Sequence, residues 1–198
     1  VLVPVHGSSM TDEPWMWILG GPNGAGKTTL ASEILDSLVE RPIFINADEV
    51  AQRLSPGYPE NAALQSGKLI IKRRNELIRA RQSFAIETTM SGVGHLNAAA
   101  RAKDVGWRVG LIFVWLQSAD LAVNRVALRY NKGGHGIPED VVRRRYDRTA
   151  RNFLNYQRLA DKWTIVDNSA DSPVWIAEGD GISTSIEDVH IYGTLIHG

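Results

Sequence analysis

Gly21-Pro22-Asn23-Gly24-Ala25-Gly26-Lys27-Thr28 is the stretch whose reading decides the fold. It satisfies G-x-x-x-x-G-K-[ST] at every fixed position. Glycines let the backbone curl until its N–H groups converge on phosphate oxygens. The residues outside the motif agree with it. Trp15–Leu19 is a short apolar run, which reads as a buried strand ending in Gly20-Gly21. From Lys27 to Val39 the apolar positions Leu30, Ile34, Leu35 and Leu38 recur at helical spacing. The loop therefore joins a strand to a helix, and the helix N-terminus adds its positive dipole end. Lys27 can reach the β- and γ-phosphates of a nucleoside triphosphate. The Thr28 hydroxyl can take a position on Mg²⁺, and Thr29 extends the binding stretch Gly21–Thr29. A glycine-rich turn that binds nothing is the weaker reading, because motif and context point the same way.

Strands and helices keep alternating downstream. Strands are expected at Ile43–Ile45, Ser83–Ile86, Arg108–Leu116 and Trp163–Val166. Helices are expected at Asp48–Leu54, Leu64–Arg81, Leu96–Asp104, Ala119–Tyr130 and Glu139–Leu159. The strands are continuous apolar runs, as strands buried on both faces should be. The alternation implies right-handed βαβ units. The expectation is an α/β phosphate-loop kinase fold: a mainly parallel five-stranded sheet flanked by helices, with a basic helical lid over about 129–151. After Pro173 the pattern fades, leaving room for an edge strand or a short helix. Val1–Ser9 read as the remnant of an expression tag, with Met10 the start of a single domain over 10–198.

The phosphate loop alone does not name a reaction. The fourth strand ends Val114-Trp115-Leu116-Gln117, not in the Asp-Glu of a transporter-type ATPase. Asn131-Lys132-Gly133-Gly134 begins like a guanine-reading motif but lacks its Asp. A kinase of small molecules needs neither. It needs a carboxylate for the acceptor and cations for the transferring phosphate. Asp48 follows the second strand, Ile43–Ile45, and Glu87-Thr88-Thr89 follows the third. Strand ends in an open parallel sheet are where ligands bind. By position alone Asp48 serves equally as a base for a hydroxyl or as a first-turn residue of a helix, with Asn46 and Glu49 as a capping pair. Glu87, Thr88 and Thr89 read as acceptor-binding residues, and capping of the next helix by Ser91 is the competing account. Of the run Arg143-Arg144-Arg145, Arg145 lies at the flank of the apolar face made by Val142, Tyr146, Thr149 and Phe153. It is the first choice to turn into a cleft, with Arg129 from the preceding helix. His135 receives no chemical role.

Composition limits the classes. With 198 residues there is room for one domain. There is no cysteine, which excludes disulfide and thiolate-metal frameworks and suits a cytoplasmic location. No apolar run reaches about 18 residues, so no membrane span is expected. Net charge is zero, yet Arg125–Arg151 holds eight Lys or Arg against three acids, while Asp171–Gly198 holds five acids and no Lys or Arg. Positive charge confined to one segment suits a polyphosphate rather than a nucleic-acid duplex.

Taken together, several motifs resemble the zeta-toxin family of phosphate-loop kinases, especially its short stand-alone branch. They are Gly21–Thr29, Asn46-Ala47-Asp48, Glu87-Thr88-Thr89, Arg129 with Gly133-Gly134-His135 and Arg143-Arg144-Arg145-Tyr146, and Val166-Asp167-Asn168-Ser169. The resemblance runs from about Trp15 to Ser169. That family phosphorylates UDP-N-acetylglucosamine on a sugar hydroxyl and so poisons cell-wall synthesis. The resemblance implies ATP and Mg²⁺ at Lys27 and Thr28, and Asp48 as catalytic base. It also implies Glu87 and Thr89 facing the acceptor, and Arg129 and Arg145 on the transferring phosphate. It further implies a small-molecule hydroxyl acceptor and an antitoxin protein as partner. The alternatives are a phosphate-loop kinase of a nucleoside, an antibiotic or a polynucleotide end, or a nucleotide-binding toxin–antitoxin protein without turnover.

Overall fold

The computed structural model describes residues 13–38, 41–55, 63–131 and 136–197. The expected tag remnant at 1–9 lies outside these residues, as do His135 and the glycines 133 and 134 of the lid loop.

Strand β1 is Trp15–Gly20, and every one of its residues is buried. It pairs in parallel with β3 (Phe84–Thr88) on one side and β4 (Arg108–Trp115) on the other. Beyond these lie β2 (Ile43–Ile45), parallel to β3, and β5 (Lys162–Asp167), parallel to β4. The five expected strands are all present and parallel. Two more follow: β6 (Val174–Gly179) and β7 (Thr184–Ile186) add antiparallel, giving the order β2-β3-β1-β4-β5-β6-β7. The expected count of five thus becomes seven.

Side chains alternate across the sheet, as the pleat demands. Met16 and Ile18 join Phe84, Ile86, Leu111 and Phe113 in one core layer. Trp15, Trp17 and Leu19 join Ala85, Ile112 and Val114 in the other. Helix α1 (Lys27–Asp36) and helix α5 (Ala119–Asn131) cover the second layer with Leu30, Ile34, Leu35, Ala122 and Val126. The first layer is closed by α3 (Ala63–Ala80), α4 (Gly94–Lys103) and α6 (Glu139–Leu159) through Ile70, Leu77, Ala99, Phe153 and Tyr156. Short α2 (Ala47–Leu54) packs on α3, and α7 (Val189–His197) lies against the same layer through Ile191, Tyr192, Leu195 and Ile196. Each fully buried Met, Ile or Phe contributes about 1.5–3 kcal/mol. The three-layer core therefore fixes the sheet, and with it the row of strand ends that carries the site.

α4 departs from expectation at its start. Its N-cap is Val93, with no side-chain cap, while the Ser91 hydroxyl meets that of Thr89 at 2.9 Å instead. Among the described residues no helix is long and apolar enough to cross a membrane.

Candidate active site

The site begins where β1 runs out. Gly21 has φ 147° and Gly26 φ 81°, both in the region where a side chain is strained. A Cβ on Gly21 would strike the Val114 carbonyl oxygen, and one on Gly26 would stand 2.6 Å from Asn168 Nδ2. The loop is thus pressed against the ends of β4 and β5, and only glycine fits. Asn168, just past β5, donates from Nδ2 to the Ala25 carbonyl at 2.8 Å. Arg125 of α5 clamps the same segment, donating to the carbonyls of Asn168 at 2.6 Å, Ser169 at 3.2 Å and Ala170 at 3.3 Å. Within the loop Ala25 N–H turns to the Pro22 carbonyl at 3.3 Å while Asn168 holds the Ala25 carbonyl, so the curl is fixed from inside and outside.

Lys27 is 6 % exposed, and its Nζ donates to the carbonyls of Gly21 at 3.0 Å and Pro22 at 2.8 Å. It also stands 4.0 Å from Glu87 Oε1. Glu87 gathers the rest of the centre. Its Oε2 accepts from Thr28 Oγ1 at 2.9 Å and from Asn46 Nδ2 at 3.1 Å. The start of α1 and the ends of β2 and β3 therefore meet at one carboxylate. A charged group so little exposed needs such partners. The sequence suggests that Glu87 faces an acceptor; it stands among Lys27, Thr28 and Asn46, on the side of the phosphate loop. Asn46 reads as a helix cap in the sequence, and its side-chain Nδ2 donates to this carboxylate. Asp48 is the second residue of α2, at the same edge, and its side chain lies outside the described residues.

The loop that follows β3 is held from above by α6. Thr149 Oγ1 lies 2.5 Å from the Thr89 carbonyl and 2.7 Å from that of Arg145. Asn152 Nδ2 donates to the Met90 carbonyl at 2.7 Å. Tyr156 donates its hydroxyl to the Gly92 carbonyl at 3.1 Å and accepts from Leu96 N at 3.2 Å. Burial raises the Tyr156 hydroxyl pKa, so it keeps the proton it donates. The positions i, i+3 and i+7 put all three side chains on one helix face. The Thr88 hydroxyl accepts from Met90 N at 3.1 Å, which leaves its own proton free to be donated.

One turn before Thr149, Arg145 reaches back across the site, its Nη1 3.5 Å from Asn23 Oδ1 at the tip of the phosphate loop. Its neighbours are engaged elsewhere. Arg143 pairs with Asp120 at 2.6 Å and Glu139 at 2.8 Å, and Arg144 with Asp140 at 3.6 Å. Arg129 is exposed in the last turn of α5. The structure thus brings Lys27, Thr28, Glu87 and Arg145 around the loop and leaves Arg143 and Arg144 on the surface. The Val166-Asp167-Asn168-Ser169 motif gives Asn168 no stated role, and Arg125 lies in no motif. Their signal is positional: Asn168 follows a strand at the ligand-binding edge.

Comparison with known proteins adds the family. A family model described as Zeta toxin matches residues 6–179. An uncharacterized protein of Haemophilus influenzae is 32% identical over 126 residues, which is 64% of this chain and 88% of that one. Crystal structures of the AvrRxo1-ORF1:AvrRxo1-ORF2 complex with sulphate ions and with ATP superpose with TM-scores of 0.76 and 0.73, both at 16% identity. Each covers 92% of this chain, which spans only 63% of theirs. A structure from the PezAT chromosomal toxin–antitoxin system of Streptococcus pneumoniae gives 0.67 at 18% identity, covering 94% of this chain and 79% of that one.

Proposed function

The chain belongs to the Zeta toxin family, and from that premise we propose that it moves the γ-phosphate of ATP to a hydroxyl of a small molecule. A UDP-N-acetyl-sugar is the first acceptor to try. The observation that carries the reading is the Glu87 carboxylate, which ties Thr28 and Asn46 together within 4.0 Å of Lys27 beside the phosphate loop. A loop that merely turned the chain would need no half-buried carboxylate and no buried lysine at its mouth.

The residues fit the groups the reaction requires. Gly21 and Gly26 let the loop lie against Val114 and Asn168, and the curled backbone would offer N–H groups to phosphate oxygens. Thr28 and Glu87 offer the oxygen donors that Mg²⁺ prefers. A cation held here would take the rest of its ligands from phosphate and water. Mg²⁺, when bound, would screen the charge of the phosphate oxygens. Lys27 would hold the β- and γ-phosphates, and Asn168 and Arg125 would keep the loop in register. The acceptor oxygen bonds to the γ-phosphorus as the bond to the β–γ bridging oxygen breaks. The hydroxyl proton passes to Asp48, and ADP leaves. Arg145, with Arg129, would meet the charge on the phosphoryl group in transit. Thr89 would contact the acceptor from the pinned loop. The PezAT relative is part of a toxin–antitoxin system, and a protein partner of the antitoxin kind belongs to the same proposal.

The test is phosphate transfer from γ-labelled ATP with Mg²⁺, with and without UDP-N-acetylglucosamine, products resolved by mass. A phosphorylated UDP-sugar that vanishes with Asp48→Asn, while ATP binding persists, supports both reaction and base. Slow ATP hydrolysis with no transfer would remove the UDP-sugar and move the search to other hydroxyl acceptors.

A further inference from the structure

A buried cation lies outside the machinery described so far. Arg74 of α3 is 5 % exposed, on the buried helix face shared with Ser66, Ile70 and Leu77. Its Nε and Nη2 donate to Asn75 Oδ1 at 3.2 and 3.1 Å. Its Nη1 approaches the Gly94 carbonyl at 3.5 Å and His95 Nδ1 at 3.4 Å. A guanidinium has five N–H donors, so one hydrogen on Nη2 has no acceptor among the described residues. No carboxylate pairs with Arg74 there either. Buried charges are normally paired, because desolvating a lone ion is costly. Here the surroundings are positive: Arg101 acts on Arg74, and burial together with that charge lowers its pKa. His95 Nδ1 faces the cation, and burial first, Arg74 second, push its pKa down to about 4.

Arg74 is joined to the site through α4. Its partners Gly94 and His95 open α4, directly after the loop that carries Thr89 and Ser91. Space is open above them: a Cβ on Gly92 or Gly94 would meet nothing within 4 Å.

We propose that Arg74, with His95 and the first turn of α4, forms a subsite for an oxyanion, a phosphate or carboxylate carried by the acceptor away from its reacting hydroxyl. The inference rests on the kinase reading and narrows it: the acceptor is an anionic hydroxyl compound. An oxyanion supplies the missing countercharge and takes the unspent Nη2 hydrogen. His95 reports on it, since a negative charge beside Arg74 makes its protonated form easier to reach.

The test follows the ring proton of His95 by NMR in the full chain, the signal assigned by its loss in His95→Gln. MgADP is kept saturating so that the phosphate loop is filled. Sodium sulfate, a dianion across the titration range, is one probe, and succinate is the other. The proposal expects a saturable shift with at least one probe and a rise of the His95 pKa by about one unit, tenfold in proton affinity. The same response is expected in Lys27→Met and is lost in Arg74→Gln. Arg74→Lys, which keeps the charge and loses the fork, should respond more weakly, and unfolding curves show whether each variant is folded. Whichever probe acts at lower concentration names the anion class. A His95 signal unmoved by both probes overturns the proposal, and so does a response abolished by Lys27→Met, which would place the anion at the phosphate loop. The titration reads binding without turnover. A failed titration therefore sinks the subsite alone, and a failed transfer assay sinks the acceptor alone.

Discussion

At the scale of single residues, charge and reach separate side chains that composition treats alike. Glu87 is the sharpest case. Its two oxygens serve Thr28, Asn46 and Lys27 together, so Glu87→Gln keeps the shape and removes the charge that the hydroxyl and the ammonium both face. Under the proposed reaction this substitution should lower the transfer rate about 10²–10³-fold, the usual cost of one missing electrostatic partner at a reacting centre. It should also raise the Mg²⁺ concentration that gives half the maximal rate. An unchanged Mg²⁺ dependence would leave Glu87 a structural strut. The arginines divide just as clearly. Arg145 reaches the loop tip at Asn23, whereas Arg143 is held on the surface between Asp120 and Glu139. Arg145→Ala should cut kcat about 10³-fold or more with a small change in KM for ATP. Arg143→Ala, measured in the same assay, should leave kcat where it was. Equal losses in the two variants would return the run to a shared electrostatic role.

At the scale of elements, the part played by α6 is only half visible in the sequence. Its apolar face is legible from the spacing of Val142, Tyr146, Thr149 and Phe153. That Thr149, Asn152 and Tyr156 hold the backbone after β3 is not, because the bonded residues lie 60 to 64 positions apart. Local pattern carries no information about such pairs. The same limit hides Asn168 on Ala25, 143 positions away. The five parallel strands are legible because each is a continuous apolar run buried on both faces. The last two are not: β6 buries only Ile176 and Ala177 firmly, and the three residues of β7 are all exposed. Neither carries a hydrophobic period. The anchoring by α6 can be measured. Tyr156→Phe strips the Gly92 carbonyl and Leu96 N of their shared partner. Leaving such groups unsatisfied costs about 1–3 kcal/mol. Urea unfolding should show that loss. Hydrogen exchange should show faster opening of 90–96 than of β1, and uniform protection across both would refute the anchoring role.

At the scale of the whole molecule, stability should depend on acid through His95. The ring is packed among neighbours with Arg74 facing Nδ1, and its pKa in the folded protein is about 4 against an ordinary 6.5. The depressed value means the folded chain resists the proton that the unfolded chain accepts. Above pH 6.5 neither state binds it, and the full stability is present. Between 6.5 and 4 only the unfolded state is protonated, so stability falls as the pH falls. Below 4 both bind it, and the loss levels off. The difference of about 2.5 units corresponds to about 3 kcal/mol, a large share of the total for a domain of this size. Carboxylates also titrate in the lower part of that window, so the comparison has to be between variants. In His95→Gln the amide carries no titrating proton, and the fall in urea midpoint between pH 6.5 and 4.5 should be visibly shallower than in the parent chain. If the two curves run parallel, His95 takes up its proton as readily folded as unfolded, and the cation beside it is screened. An oxyanion added at pH 5 should recover part of the loss in the parent chain and none in Arg74→Gln. The pH profile and the anion subsite therefore stand on the same pair of side chains: what makes the pair costly to protonate is what makes it fit a negative ligand.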